Sequence, residues 1–133
     1  MKNELTIVTN QQSPAQPRWQ FDHHRLDAYH VAMQALVKGT AIINSLPRGY
    51  GKLKDQAARA LQGAFTQTTE ASARTGADRL ARYRSARAEA GEVAGLFEAF
   101  EKLGLADPGE VDEVLELLWR LSAMLCRLAK LKR

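Results

Sequence analysis

The segment DPGEVDEVLELLWRLSAMLCRL, residues 107–128, decides the fold. Asp107 is a natural helix N-cap, Pro108 fits the first helical position, and Glu110 stands where a capping box is completed. Glu110, Asp112, Glu113 and Glu116 occupy the end where the helix dipole is positive, and Arg127, Lys130, Lys132 and Arg133 the end where it is negative. Val111, Val114, Leu118, Leu121, Leu125 and Leu128 recur at three- and four-residue steps, an unbroken a/d stripe. Leu115, Leu117, Trp119, Met124 and Cys126 add apolar surface outside that stripe. One bundle face would not cover all of it, so an oligomer interface is expected, with Leu115 and Trp119 as its outward positions. The alternative is a central helix buried on every side.

Three more helices precede this one. Gly104 ends a helix that begins near Asp78, with Thr75-Gly76-Ala77-Asp78 as its capping sequence and Leu80, Tyr83, Ala90, Ala94 and Phe97 down one side. Gly91 and Gly95 in it would admit another helix at close range. Upstream, residues 52–72 read as an alanine-rich helix with Leu53, Ala57, Ala60, Leu61, Ala64 and Phe65 on one face, interrupted by Thr66, Thr68 and Thr69. The loop Leu46-Pro47-Arg48-Gly49-Tyr50-Gly51 separates it from a first helix over residues 22–44. There Leu26, Tyr29, Met33, Leu36, Val37 and Ile43 form the expected stripe, and Gly39 predicts a close packing contact. Four helices of ~20–25 residues are each ~30–37 Å long. Matched lengths and short loops predict an all-α, antiparallel up-down-up-down four-helix bundle over residues 21–133.

Residues 1–20 stand apart as an extended N-terminal tail. Thr9 to Pro17 holds two prolines and almost no core-forming side chains. A strand-like patch, Glu4 to Val8, precedes it, and that patch with Trp19 and Phe21 is the means by which such a tail would be pinned to a protein partner.

The chain has 133 residues, 45% hydrophobic and 26% charged, which suits one folded domain and excludes a disordered chain. No apolar run reaches the ~18–20 residues of a membrane span, and Leu5 to Val8 is too short for a signal-peptide core, so a cytoplasmic location is expected. A single cysteine, Cys126, excludes an intrachain disulfide and a cysteine-based zinc cluster.

The net charge of +4 conceals segregation into blocks. Residues 48–88 carry +6, residues 89–116 carry −8 and residues 117–133 carry +5. Such blocks let one surface meet a polyanion and another a basic neighbour, or else they are simply solvated helix faces. Lys52, Lys54, Arg59, Arg74, Arg79, Arg82 and Arg87 are the candidate nucleic-acid-binding residues, with Tyr50 and Tyr83 available to stack on bases. At 100° per residue Arg82 and Arg84 point 200° apart, so a contiguous patch needs two helices or several subunits.

Catalysis finds no support. There is no phosphate-binding glycine loop and no H-E-x-x-H helix, so no catalytic residues, cofactor or metal are expected. His23 and Asp27 are four apart, but His24 and His30 fall off their face, which points to surface or interface histidines.

From Phe21 to about Lys130 the chain resembles the bacterial four-helix-bundle proteins encoded in intervening sequences of large-subunit ribosomal RNA genes. The resemblance lies in the order and spacing of short motifs. These are Phe21-x-x-x-x-Leu26-x-x-Tyr29, Leu46-Pro47-Arg48-Gly49-Tyr50, Gln56-x-x-Arg59-Ala60, Glu70, Arg82-Tyr83, Ala86-Arg87, Glu92 and Leu103-Gly104-Leu105. It implies a bundle that assembles as a cyclic homopentamer. A related branch, the accessory variability proteins of diversity-generating retroelements, binds a reverse transcriptase and nucleic acid through basic surfaces. Two family motifs are replaced here, by Gln67-Thr68-Thr69-Glu70-Ala71 and by Ala88-Glu89-Ala90-Gly91-Glu92, each keeping only a glutamate of the family pattern. The expected function is thus a non-enzymatic homo-oligomeric adaptor for RNA, DNA or a protein that processes them. The alternative is a structural module that docks a protein partner through its tail or fourth helix.

Overall fold

A computed structural model describes residues 19–131, and the chain folds there as four α-helices and no strand. The expected strand-like patch and all but the last two residues of the expected tail lie outside the described residues. After a 3₁₀ turn at Asp22–Arg25 come α1 (Asp27–Ser45), α2 (Gly51–Ala71), α3 (Gly76–Lys102) and α4 (Pro108–Leu128). Each helix packs on the next, and α4 closes on α1, so the four surround one core as an antiparallel bundle.

The core joins small residues to large ones. From α2 it takes Ala57, Ala60, Leu61, Ala64, Thr68 and Ala71, and from α3 Tyr83, Ala86, Ala90, Val93, Phe97 and Phe100. Into the space between them α4 projects Val111, Val114, Leu118, Leu121 and Leu125, all essentially without solvent contact. The threonines that break the pattern of α2 do not break the helix. Thr68 Oγ1 donates to the Ala64 carbonyl at 2.7 Å and Thr69 Oγ1 to Phe65 at 3.0 Å, so the buried hydroxyl of Thr68 is satisfied one turn back.

The first helix differs from its expected form. Its core face is Ala28, Val31, Ala32, Ala35, Gly39 and Ile42, one position away from the expected stripe. Leu26, Tyr29, Met33, Leu36 and Ile43 border that face half-buried, and Val37 is 64% exposed. Small residues win the core position because α1 comes close to its neighbours. A Cβ built on Gly39 would stand 2.7 Å from Leu61 Cδ2 and 3.0 Å from Phe97 Cζ. The helix also starts late, since Leu26 is extended (φ −100°, ψ 114°) and divides the 3₁₀ turn from α1.

The helix ends show which caps form. Asp107 Oδ2 accepts from the Glu110 amide at 3.0 Å, with Pro108 in the first turn as expected. Thr75 occupies the N-cap of α3 but makes no side-chain cap hydrogen bond. Gly104, at φ +76°, turns the chain after α3 so that the Leu105 amide reaches the Phe100 carbonyl at 2.8 Å. Lys130 adopts the same left-handed region after α4 (φ +58°), and there the Leu131 amide reaches Cys126 O at 2.9 Å.

On α4, Leu117 and Cys126 are buried within the chain's own core, so the helix hides a wider face than the a/d stripe alone. Leu115 and Met124 are half-buried. Trp119 is 72% exposed. No helix among the described residues is long and apolar enough to cross a membrane.

The two N-caps give a test. Asp107→Ala is expected to lower unfolding free energy by about 1 kcal/mol in urea titrations, while Thr75→Ala, which removes no cap bond, stays within ~0.5 kcal/mol of the parent.

Candidate nucleic-acid interface

The seven expected basic residues do not share one surface. Lys52, exposed, and Lys54 sit in the first turn of α2, while Arg74 lies beyond its last residue. At 1.5 Å per residue that separates them by roughly 30 Å. Arg59 is exposed midway along α2. Antiparallel α3 brings Arg79 and Arg82 back along the C-terminal end of α2.

Several of these cations already have work within the fold. Lys54 Nζ donates to the Pro47 carbonyl and holds the α1–α2 loop. Arg79 caps the end of α2: its Nε donates to Arg74 O at 2.7 Å and to Ala71 O at 3.2 Å, and Nη2 reaches Ser72 O at 3.5 Å. Arg82 staples α2 to α3, pairing with Glu70 at 3.1 Å and Asp78 at 3.6 Å and donating to Gln67 Oε1 at 3.4 Å. Arg74 pairs with Asp78 at 3.4 Å. Lys52, Arg59 and Arg87 make no hydrogen bond or ion pair among the described residues and are exposed. Arg84, outside the expected set, has the same standing and lies three residues from Arg87, on the same side of α3. That three-residue spacing is the signal in the sequence that groups the two.

Tyr83 cannot stack on a base, because only 4% of it is exposed. Its hydroxyl makes no hydrogen bond among the described residues, and burial raises its pKa above the ordinary phenol value, with Arg79 pulling the other way. Tyr50 is half exposed and held in the left-handed region at φ 57°.

Two further exposed rings lie elsewhere. Phe21 is 58% and Trp19 60% exposed at the start of the described chain. Phe21 stacks on His23, with centroids 5.7 Å apart and planes within 3°. His23 in turn meets His24 and Tyr29, each at 4.5 Å, and Tyr29 meets Phe65 of α2 at 5.6 Å. The break at Leu26 removes the helical spacing that would relate His23 to Asp27. The ring nitrogens are engaged with backbone: His24 Nδ1 accepts from the Phe21 amide at 3.0 Å, and His30 Nε2 bonds the His24 carbonyl at 2.9 Å. Burial, then the neighbouring His24, lowers the His23 pKa, which keeps that ring neutral at physiological pH. Among the described residues no group of three or more His, Cys, Asp or Glu is placed to hold a metal ion.

The two expected interface residues on α4 come together. Leu115 and Trp119 line a groove of about 290 Å³ between α3 and α4, with Ala94 and Gly91 on its other wall. A Cβ on Gly91 or Gly95 would meet nothing within 4 Å, so none of the described residues uses the approach that the two glycines open.

Glu89 is a charge placed at a cost to the fold. It is half-buried between α3 and α2, in the notch left by Gly63, where an added Cβ would collide with its carboxylate. It has no cation or hydrogen-bond partner among the described residues. Burial, and secondarily Glu92, push its pKa above the ordinary carboxylate value.

No protein-family model matches the chain, and no curated protein matches it.

The Glu89 shift has a definite sign. An acid whose pKa is raised by folding binds its proton more tightly in the folded state. Its contribution is fully present at low pH and is lost as pH rises through the raised value. Glu89→Gln, which mimics the protonated form, is therefore expected to melt above the parent at pH 7, the gap closing below the ordinary value of 4.5. Thermal melts followed by circular dichroism at the two pH values check this.

Proposed function

We propose that the chain is a non-enzymatic, homo-oligomeric adaptor that binds nucleic acid, or a nucleic-acid-processing partner such as a reverse transcriptase or ribosomal RNA, through basic surfaces. The observation that carries this reading is a group of exposed cations on the two basic helices that make no hydrogen bond or ion pair among the described residues: Lys52 and Arg59 on α2, Arg84 and Arg87 on α3. A cation already bonded to its own backbone or carboxylates loses those bonds on meeting a phosphate, whereas an unengaged one gives up only water and counterions. Arg79 and Arg82, engaged by the fold, are therefore secondary to Arg84 and Arg87.

Assembly supplies what a single chain lacks. The basic residues are dispersed along one bundle, and repetition around a ring of subunits would multiply them into a continuous surface. Trp119 and Leu115, beside the open Gly91 wall, give the apolar contact such a ring needs. At ~25 cal/mol per Å², a few hundred Å² of apolar area per subunit contributes several kcal/mol before association costs. The same groove also favours the second reading, a scaffold that docks a different protein through α4.

Binding to a single-stranded oligonucleotide should weaken steeply with salt. Arg59→Gln, Arg84→Gln and Arg87→Gln combined should lower the log–log salt slope by about two. No binding at low salt, or an unchanged slope in the triple variant, removes the nucleic-acid reading. Light scattering should give a mass several times 14.8 kDa, which Trp119→Asp reduces while helical content is kept. A strict monomer at tens of micromolar would refute the homo-oligomer and leave the groove to a different protein.

A further inference from the structure

We infer that the 3₁₀ turn before α1 forms a stacking site for an unpaired nucleobase, with a phosphate and base-edge pocket beside it, so that the ligand is single-stranded nucleic acid. This rests on the nucleic-acid reading above and gives it a specific place on the fold, distinct from the basic faces of α2 and α3. Three observations carry it.

The first is the ring. Phe21 stacks on His23 and is 58% exposed, so much of the residue remains open to solvent. His23 beneath it is wedged against Tyr29, Tyr29 rests on Phe65 of α2, and the Phe21 amide is fixed on His24 Nδ1. An exposed ring held at the end of a ladder of rings is a preorganised platform, because a base that lands on it orders nothing further. The neutral state of His23 extends the π-surface without adding charge under the base.

The second is the pocket. In a 3₁₀ turn side chains three apart eclipse, so Asp22 and Arg25 emerge together, away from the Phe21 and His24 pair. With Leu26, Ser72, Arg79 and Tyr83 they line a cavity of about 360 Å³ between the turn, the end of α2 and the start of α3. Arg25 is exposed and makes no ion pair among the described residues. Arg79 keeps its Nη1 out of the bonds that cap α2. Two guanidinium groups offer donors to a phosphate, and the Asp22 carboxylate accepts from an exocyclic amino group, as cytosine presents.

The third is a donor with nothing to give to. Tyr83, 96% buried by its 4% exposure, lines the same cavity and its hydroxyl has no partner among the described residues. A hydroxyl that bonds no other part of the described fold is free to donate to a ligand oxygen in that cavity. Stacking ring, unengaged guanidinium, carboxylate and unpaired phenol fall within one turn of chain and the cavity it roofs. A duplex cannot use them, because its bases are already stacked inside.

The test uses the full chain and three probes: labelled hexamers of cytidine as RNA and as DNA, and an abasic hexamer with the same number of phosphates. Fluorescence anisotropy should show that Phe21→Ala weakens either cytidine hexamer about 5- to 150-fold and leaves the abasic one unchanged. Phe21→Trp, which keeps a flat ring, should stay close to the parent. Arg25→Gln should weaken cytidine and abasic hexamers alike and lower the salt slope by about one. A difference between the RNA and DNA hexamers would tell which of the two is preferred. The site is refuted if Phe21→Ala binds cytidine hexamers as the parent does, or if the abasic hexamer binds the parent equally well. If Arg84→Gln and Arg87→Gln still weaken binding in that case, the basic faces stand and the platform falls. If no hexamer binds the parent at low salt, both fall.

Discussion

The fit between an alanine-lined pair of helices and a leucine-lined one governs the rest of this molecule. Ala57, Ala60 and Ala64 of α2 and Ala86 and Ala90 of α3 bring two backbones close together. The volume they leave is filled from the opposite side by Leu118, Leu121 and Leu125, with Phe97 and Phe100 along the seam. Alternating small and large residues is how a bundle reaches interior packing density without straining rotamers. It also decides what faces outward. Once α2 and α3 are drawn together, Arg82 reaches Glu70 on the neighbouring helix, and Arg84 on the far side meets water.

Much of this was legible in the residues because the signals were redundant. The Asp107-Pro108 start of α4, its stripe and the Gly104 stop before it agree with one another, and each is met in the structure. Gly39 is the tight contact its placement in a helix implied. The first helix was harder, since two overlapping stripes compete there. Large apolar side chains at Met33, Leu36 and Val37 outweigh Ala28, Ala32 and Ala35 by hydrophobicity alone, yet only the small set lets α1 approach Leu61 and Phe97. Pattern reports which face is apolar, and the neighbouring helix decides which apolar face fits.

The candidate interface was less legible for a related reason. A count of cations does not reveal which of them are occupied. Arg79 reads as a free charge, but its guanidinium supplies donors to the Ala71, Ser72 and Arg74 carbonyls where α2 ends. Arg82 is absorbed by Asp78 one turn back on its own helix and by Glu70 across an antiparallel hairpin, and the register of that second contact is encoded by no local pattern. What survives that subtraction is a short set of unengaged arginines and a ring platform at the opposite end of the helix from the acidic start of α4.

The Gly63 notch has a consequence for how this protein can change. The space that a side chain at 63 would take is held by the Glu89 carboxylate from the next helix. The two positions are therefore one unit of variation. A residue larger than glycine at 63 requires position 89 to withdraw into solvent, and a short residue at 89 opens room for growth at 63. In relatives of this chain, glycine at the first position and a long side chain at the second should be inherited or lost together.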